Sequence, residues 1–343
     1  MNTRRPKISI LTPCCNSAQW LPATLASLYA QSFTDWELLL LDDGSTDATP
    51  RLLESHAGVR PEGGEVRIFS SPGRGVAEAR NRLLEVARGE YLLFLDSDDL
   101  LPPDALTYLL SLIEERGADV AEGRILCYPD GDDEMVMRGV AESRATPRVS
   151  TFDGRGAVES SLYQTLVSSS LSGKLFRRNL FDGIRFPSGR LYEDLYVFHR
   201  VAIRAANYVC SSKVVYLYRQ RSGSIIHTFN PRRLDVLDIT EGIEAHMRGL
   251  SDECLIRAAC DRRLSAAFNM LGLLLNNTSA LPSGDRERYI SHCRGVIATH
   301  SSASLRNPRV RMLNRVAALL AILQPRRGVR RGRRRRAIRT RQA

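Results

Sequence analysis

The chain has 343 residues, 43% of them hydrophobic and 25% charged, an ordinary globular composition with length enough for about two domains. No run approaches the ~20 apolar residues of a membrane-spanning helix; residues 316–323 are among the longest candidates. The net charge of +11 suggests a nucleic-acid binder until it is located: ten arginines and no acid lie between 326 and 343, which leaves the preceding 325 residues almost neutral and argues against a basic nucleic-acid groove.

Arg4, Arg5 and Lys7 are followed by only a short apolar run at 8–11, so no signal peptide and a cytoplasmic location are expected. Seven cysteines with no CxxC pair fit reduced thiols and argue against a zinc site.

In chain order, residues 8–11 read as a strand stopped by Pro13, and residues 20–31 carry Leu21, Leu25, Leu28 and Tyr29 at helical spacing. Trp36-Glu37-Leu38-Leu39-Leu40-Leu41 is a second strand, ending in Asp42-Asp43, and Gly44-Ser45-Thr46-Asp47 leads into a helix near 51–56. A strand over 66–69, a helix over 75–88, a strand over 91–95 and a helix over 104–116 follow. Strands that are apolar on both faces and alternate with helices predict a mostly parallel sheet covered on both sides. Ligands of such sheets bind outside the C-terminal strand ends.

A strand over 120–127 precedes a polar segment, 128–148, that holds Asp130, Asp132, Asp133 and Glu134 and reads as loop or edge hairpin. A helix is predicted over 152–167, a strand over 174–176, a helix from 190–194 to 204, and a strand over 214–218. From 232 to about 323 the pattern is helical, with breaks near Pro282 and Pro308.

Two strand ends carry acids that a core cannot explain. Asp96, Asp98 and Asp99 directly follow Tyr91-Leu92-Leu93-Phe94-Leu95; carboxylates this close repel unless a cation sits among them, although Asp is also a common helix cap. Asp43 is either a ligand acceptor at the sheet mouth or a turn residue before Gly44. Glu193-Asp194 opens a helix, where acids also complement the helix dipole. The six histidines have no metal-ligand spacing.

Six stretches in order resemble the family 2 glycosyltransferases with the GT-A fold. They are Ile10-Leu11-Thr12-Pro13-Cys14-Cys15-Asn16, Gln31 to Glu37 leading into Leu41 to Asp47, Gly75 to Asn81, Gly89 to Asp99, Lys174-Leu175-Phe176-Arg177-Arg178 and Tyr192-Glu193-Asp194. The resemblance spans about residues 7–225. Two positions depart from the pattern: Cys15 and Gly173 stand where the family usually has aromatic residues.

The resemblance implies an α/β fold of GT-A type, a Rossmann-like, mostly parallel sheet with helices on both faces, followed by a helical C-terminal region. It implies a GT-A unit at 1–230, with a nucleotide-sugar half (7–127) and an acceptor half (128–230); the helices at 231–325 and the Arg-rich tail at 326–343 beyond it are read from pattern and charge. Pro13 and Asp43 would contact the base, and Arg80 the diphosphate, although Arg80 read alone is equally a solvated helix charge. Asp96 would serve ribose and metal, and Asp98 would bind Mg²⁺ or Mn²⁺ directly. Lys174 would be a donor or acceptor ligand, or else a strand-edge charge. Asp194 would be the general base, with Glu193 orienting or capping and Asp99 supporting or capping.

The implied activity is metal-dependent, inverting transfer of a sugar from a nucleotide diphosphate donor, with UDP favoured, to a glycan or lipid-linked acceptor. Two alternatives stand beside it. One is a nucleotidyltransferase that makes activated sugars, for which Thr12-Pro13-Cys14-Cys15-Asn16 lacks the Gly- and Lys-rich triphosphate loop. The other is a non-catalytic protein acting through its tail. The tail itself reads first as a disordered, solvated segment and second as an attachment to the inner face of an anionic membrane; nucleic-acid binding comes third, and no nucleic-acid partner is expected.

Overall fold

Helices cover both faces of an eight-stranded sheet in the computed structural model, which describes residues 5–59, 64–143, 145–221, 230–277, 281–310 and 312–323. The first half is the predicted alternation: β1 (Ile8–Cys14), α1 (Leu21–Tyr29), β2 (Trp36–Asp43), α2 (Thr49–Ser55), β3 (Glu65–Ser71), α3 (Val76–Val86), β4 (Tyr91–Phe94) and α4 (Ala105–Arg116). These four strands are parallel in the order β3-β2-β1-β4. Successive leucines of β2 serve opposite faces: Leu38 and Leu40 join one core, Leu39 and Leu41 the other. An unbroken apolar run is therefore what a two-sided central strand requires.

The second half extends the sheet with β5 (Val120–Pro129), β6 (Val149–Phe152), β7 (Lys174–Arg177) and β8 (Tyr208–Gln220). β7 is antiparallel to both β4 and β5 and lies between them, β5 pairs with β8 in parallel, and β6 closes the edge antiparallel to β8. Parallel pairs join six of the eight strands, as the fold class requires.

Three elements differ from expectation. The polar segment after β5 contains a helix, α5 (Asp133–Ala141), whose Val136, Met137 and Val140 pack on Leu100, Tyr128 and Leu217; its acids sit in the first turn, where the dipole favours them. Residues 152–167 are not one helix. Phe152 ends β6, Asp153 caps α6 (Gly154–Leu162) by accepting the Gly156 N–H, and the helix stops at Leu162. β8 is also much longer than predicted, thirteen residues.

α7 (Glu193–Ala202) precedes β8, and after β8 come α8 (Asp235–Gly249), α9 (Glu253–Asn276), α10 (Ser283–Arg306) and α11 (Met312–Leu323). The core on the α3 face runs without interruption through α6 and α7 into these helices, from Phe94 and Phe176 to Leu237 and Met270. Among the described residues no helix is long and apolar enough to cross a membrane. The Arg-rich tail at 326–343 lies outside the described residues.

Candidate functional site

Register brings the acid-tipped strand ends together. Cys14 is level with Asp42 and Leu11 with Phe94, so β1, β2 and β4 all end at one edge. The loops beyond are stitched by side chains. The Thr46 N–H donates to Asn16 Oδ1 (2.8 Å), the Ser17 N–H to Thr49 Oγ1 (2.8 Å), and the Ser17 and Ser97 hydroxyls share a hydrogen bond of 2.7 Å. Pro13 sits half-buried within β1, and Cys15 is exposed just past its end.

Asp43 is buried, and its two oxygens accept the backbone N–H groups of Arg74 (2.9 Å) and Gly75 (2.6 Å). It thereby docks the start of α3 beside β2. A Cβ on Gly44, which has φ +72°, would lie 2.8 Å from the Gly73 nitrogen, so only glycine permits this approach. Each Asp43 oxygen keeps a further lone pair for a ligand N–H.

The acids after β4 divide by environment. Asp96 is the most open, with its side chain 32% exposed and ion-paired to Arg80 at 2.9 Å. Asp98 meets Arg221 Nε at 2.9 Å, and that guanidinium lies 4.5 Å over the Trp20 ring. Burial, and then the charge of Asp96, push the Asp98 carboxyl above the usual range. Asp99 is fully buried and accepts from the Tyr216 hydroxyl (2.8 Å) and the Arg219 N–H (2.9 Å). It ties this loop to β8, and the cap of α4 is Asp104, whose side chain makes no capping bond. Two hard carboxylate donors side by side, each already drawing a guanidinium, are a donor set suited to Mg²⁺ or Mn²⁺.

Arg80, on α3, links this cluster to the start of α7. Its Nη1 donates to Glu193 (2.8 Å) and Asp194 (2.5 Å), its Nη2 to Asp96 (2.9 Å). The residue is 3% exposed and lies over the Phe94 and Phe186 rings. Arg80, expected at the diphosphate, thus lies in the site with its two terminal nitrogens on three carboxylates, while its buried Nε makes no hydrogen bond. Asp194 Oδ2 also accepts the Leu171 N–H (3.2 Å) and the Ser170 hydroxyl (3.4 Å).

Burial, then the charge of Asp194, raises Glu193 from 4.5 to about 7. Between those values the folded state holds more protons than the unfolded chain, so this group's contribution to stability falls as pH rises. Glu193→Gln is expected to match wild type in thermal melts below pH 4.5 and to gain on it as pH rises to about 7. A constant difference across that range would remove the assignment.

Lys174 is a second correction. The expected ligand role does not fit a residue that is 0% exposed, with Nζ on the Ser170 carbonyl (2.6 Å) and Glu122 (3.1 Å). The strand-edge reading fails too, because β7 is central. Residues that sequence reasoning missed come from β8 and α5. Arg219 donates to Asp130 (3.1 Å), Asp133 and the Asp98 carbonyl (2.7 Å), and so holds the loop after β4 to α5. The alternation Arg219, Arg221 at the end of an apolar strand was the available signal. Among the described residues Glu244, Cys260 and His300 also cluster, but the Glu244 carboxylate there is already held by two guanidinium groups, those of Arg248 and Arg263, and burial raises the Cys260 thiol to about 11.

The family model described as "Glycosyl transferase family 2" matches residues 9–185. The glycosyltransferase GlyG of Streptococcus pneumoniae is 27% identical over 224 residues, 64% of this chain and 73% of its own length. Staphylococcus aureus TarS 1-349, solved in complex with UDP-GlcNAc, superposes with a TM-score of 0.65 at 20% identity, over 93% of this chain and 88% of that one. The mannosyltransferase PcManGT of Pyrobaculum calidifontis, solved with GDP-Man and Mn²⁺, has a TM-score of 0.50 at 17% identity, over 95% of this chain and 89% of that one.

Proposed function

Because the chain belongs to glycosyl transferase family 2, we propose that this glycosyltransferase moves a sugar from a UDP-linked donor to a glycan or lipid-linked acceptor hydroxyl with inversion. The observation that carries the proposal is Arg80, whose one guanidinium joins Asp96 on the donor side to Asp194 on the acceptor side. Asp43 accepts an N–H of the base, with Pro13 alongside, and Asp96 takes the ribose side. Asp98 and Asp96 would hold Mg²⁺ or Mn²⁺, which supplies charge neutralisation for the departing diphosphate. UDP and Mn²⁺ are the choices supported by the TarS and PcManGT complexes.

In the transfer, the acceptor oxygen bonds to the anomeric carbon while the bond to the diphosphate oxygen breaks, and the acceptor proton passes to Asp194. Arg80 holds that carboxylate by one oxygen, while Leu171 and Ser170 hold the other, so the base is oriented before substrate arrives.

A thermal-shift series tests donor and metal together. UDP at about 100 times its Kd should stabilise by roughly 2.7 kcal/mol, more with Mn²⁺ than without, and Asp98→Asn should abolish the metal-dependent increment. A shift with GDP and none with UDP overturns the donor assignment; an undiminished Mn²⁺ increment in Asp98→Asn overturns that ligand.

A second element of the proposal is contact with an anionic membrane at the cytoplasmic face. Met312, Val316, Leu319 and Leu320 are exposed along one side of α11, and ten arginines follow between 326 and 341. Each basic residue near an anionic surface contributes about 1 kcal/mol. Sedimentation with phosphatidylserine vesicles should capture the full chain at low salt and lose it when residues 326–343 are deleted, with turnover on a soluble acceptor unchanged. Equal capture by neutral vesicles would exclude this electrostatic attachment.

A further inference from the structure

Lys174 and Glu122 form a buried ion pair that the transfer reaction does not use directly, facing each other across β7 and β5. Their side chains are 0% and 6% exposed, and removing such charges from water is costly unless geometry and added hydrogen bonds compensate. The compensation is specific. Lys174 Nζ donates to the Ser170 carbonyl at 2.6 Å and lies 5.3 Å from the centre of the Phe198 ring. Glu122 accepts the Ser168 N–H at 3.0 Å and the Tyr208 hydroxyl at 2.7 Å, and Tyr208 meets Phe198 edge-on.

All but one of these contacts end on an element that holds Asp194; the exception, Tyr208 on β8, packs in turn on Phe198 of α7. Ser168 and Ser170 belong to the loop whose Leu171 N–H and Ser170 hydroxyl bind Asp194 Oδ2. Phe198 lies one turn beyond Asp194 on α7. Within the loop the Ser172 N–H donates to the Ser170 hydroxyl oxygen (3.2 Å), and the Gly123 N–H on β5 donates to the Gly173 carbonyl (2.9 Å).

We propose that Lys174 and Glu122 are positioning residues for the general base, a buried pair that sets the 168–173 loop and α7 so that Asp194 is held at both oxygens. The proposal rests on the reading of Asp194 as the base. Replacing both charges by residues of similar size avoids leaving either one buried alone. The Glu122→Gln, Lys174→Met double variant should therefore fold, keep its donor KM within about 2-fold of wild type, and lose at least about 10-fold in kcat, the pattern of an interaction expressed in the transition state. Hydrogen exchange at the Leu171 amide should accelerate in the same variant.

The deciding comparison places the double variant in an Asp194→Asn background. A pair that acts through Asp194 has nothing left to position there, so its 10-fold effect should vanish. A full multiplicative loss in that background, or an undiminished kcat with Asp194 intact, overturns the proposal. Full turnover in Asp194→Asn alone overturns the base assignment instead, so the two failures are distinguishable. If the double variant does not fold, Tyr208→Phe removes one bond to Glu122 and keeps the charge pair. It should give a smaller kcat loss that likewise disappears in the Asp194→Asn background, and persistence of the loss there counts against the proposal.

Discussion

Asp194→Asn is expected to lower kcat for sugar transfer by about 10²–10⁴-fold, the usual worth of a positioned general base, with the donor's Kd unchanged. The amide is nearly isosteric, so the Leu171 N–H and the Ser170 hydroxyl can still be accommodated where Asp194 Oδ2 now accepts them; what is removed is the capacity to take the acceptor proton. Single-turnover assays with a nucleotide-sugar donor, beside direct measurement of donor binding, separate the two quantities. Full turnover with normal donor affinity would show that the proton leaves by another route. A fall in donor affinity equal to the fall in rate would place Asp194 in binding rather than in chemistry.

Arg80→Met should have the largest effect on stability, because it strands three carboxylates around an apolar side chain. Removing one partner of a buried ion pair costs about 3–5 kcal/mol. The lower part of that range is expected here, since the Asp96 and Asp194 side chains are 32% and 22% exposed and water can partly replace the guanidinium. The sign with pH follows from linkage: without the cation, the folded state favours protonated acids, so the deficit should be widest above neutrality and shrink on acidification. Urea denaturation of both proteins at two pH values measures it. A deficit below 1 kcal/mol near neutral pH, or one that grows on acidification, would contradict the central position assigned to Arg80. Transfer should fall as well, because Asp96 and Asp194 lose their common tether.

The sheet was legible because its chemistry is local. Leu38 to Leu41 had to be a strand buried on both faces, and the alternation with helices fixed parallel pairing for β1 to β4. α5 was less legible: four acids hid the apolar spacing of Val136, Met137 and Val140, and two of them, Asp130 and Asp133, hold Arg219 and Trp20. Lys174 read as a ligand or an edge charge because a lysine in a short strand normally faces solvent or a ligand, whereas β7 inserts between β4 and β5 and buries it.

By itself the sequence determined the fold class, the edge of the sheet where acids gather, and the family. Each follows from hydrophobic period or from short motifs, which neighbouring residues specify. Tertiary structure alone decided how the polar groups are shared: Arg80 with Asp194 across 114 positions, Tyr216 with Asp99 across 117, and Lys174 with Glu122. A buried charge is defined by the partner that offsets its desolvation, and only packing brings partners so distant in the chain within hydrogen-bond reach.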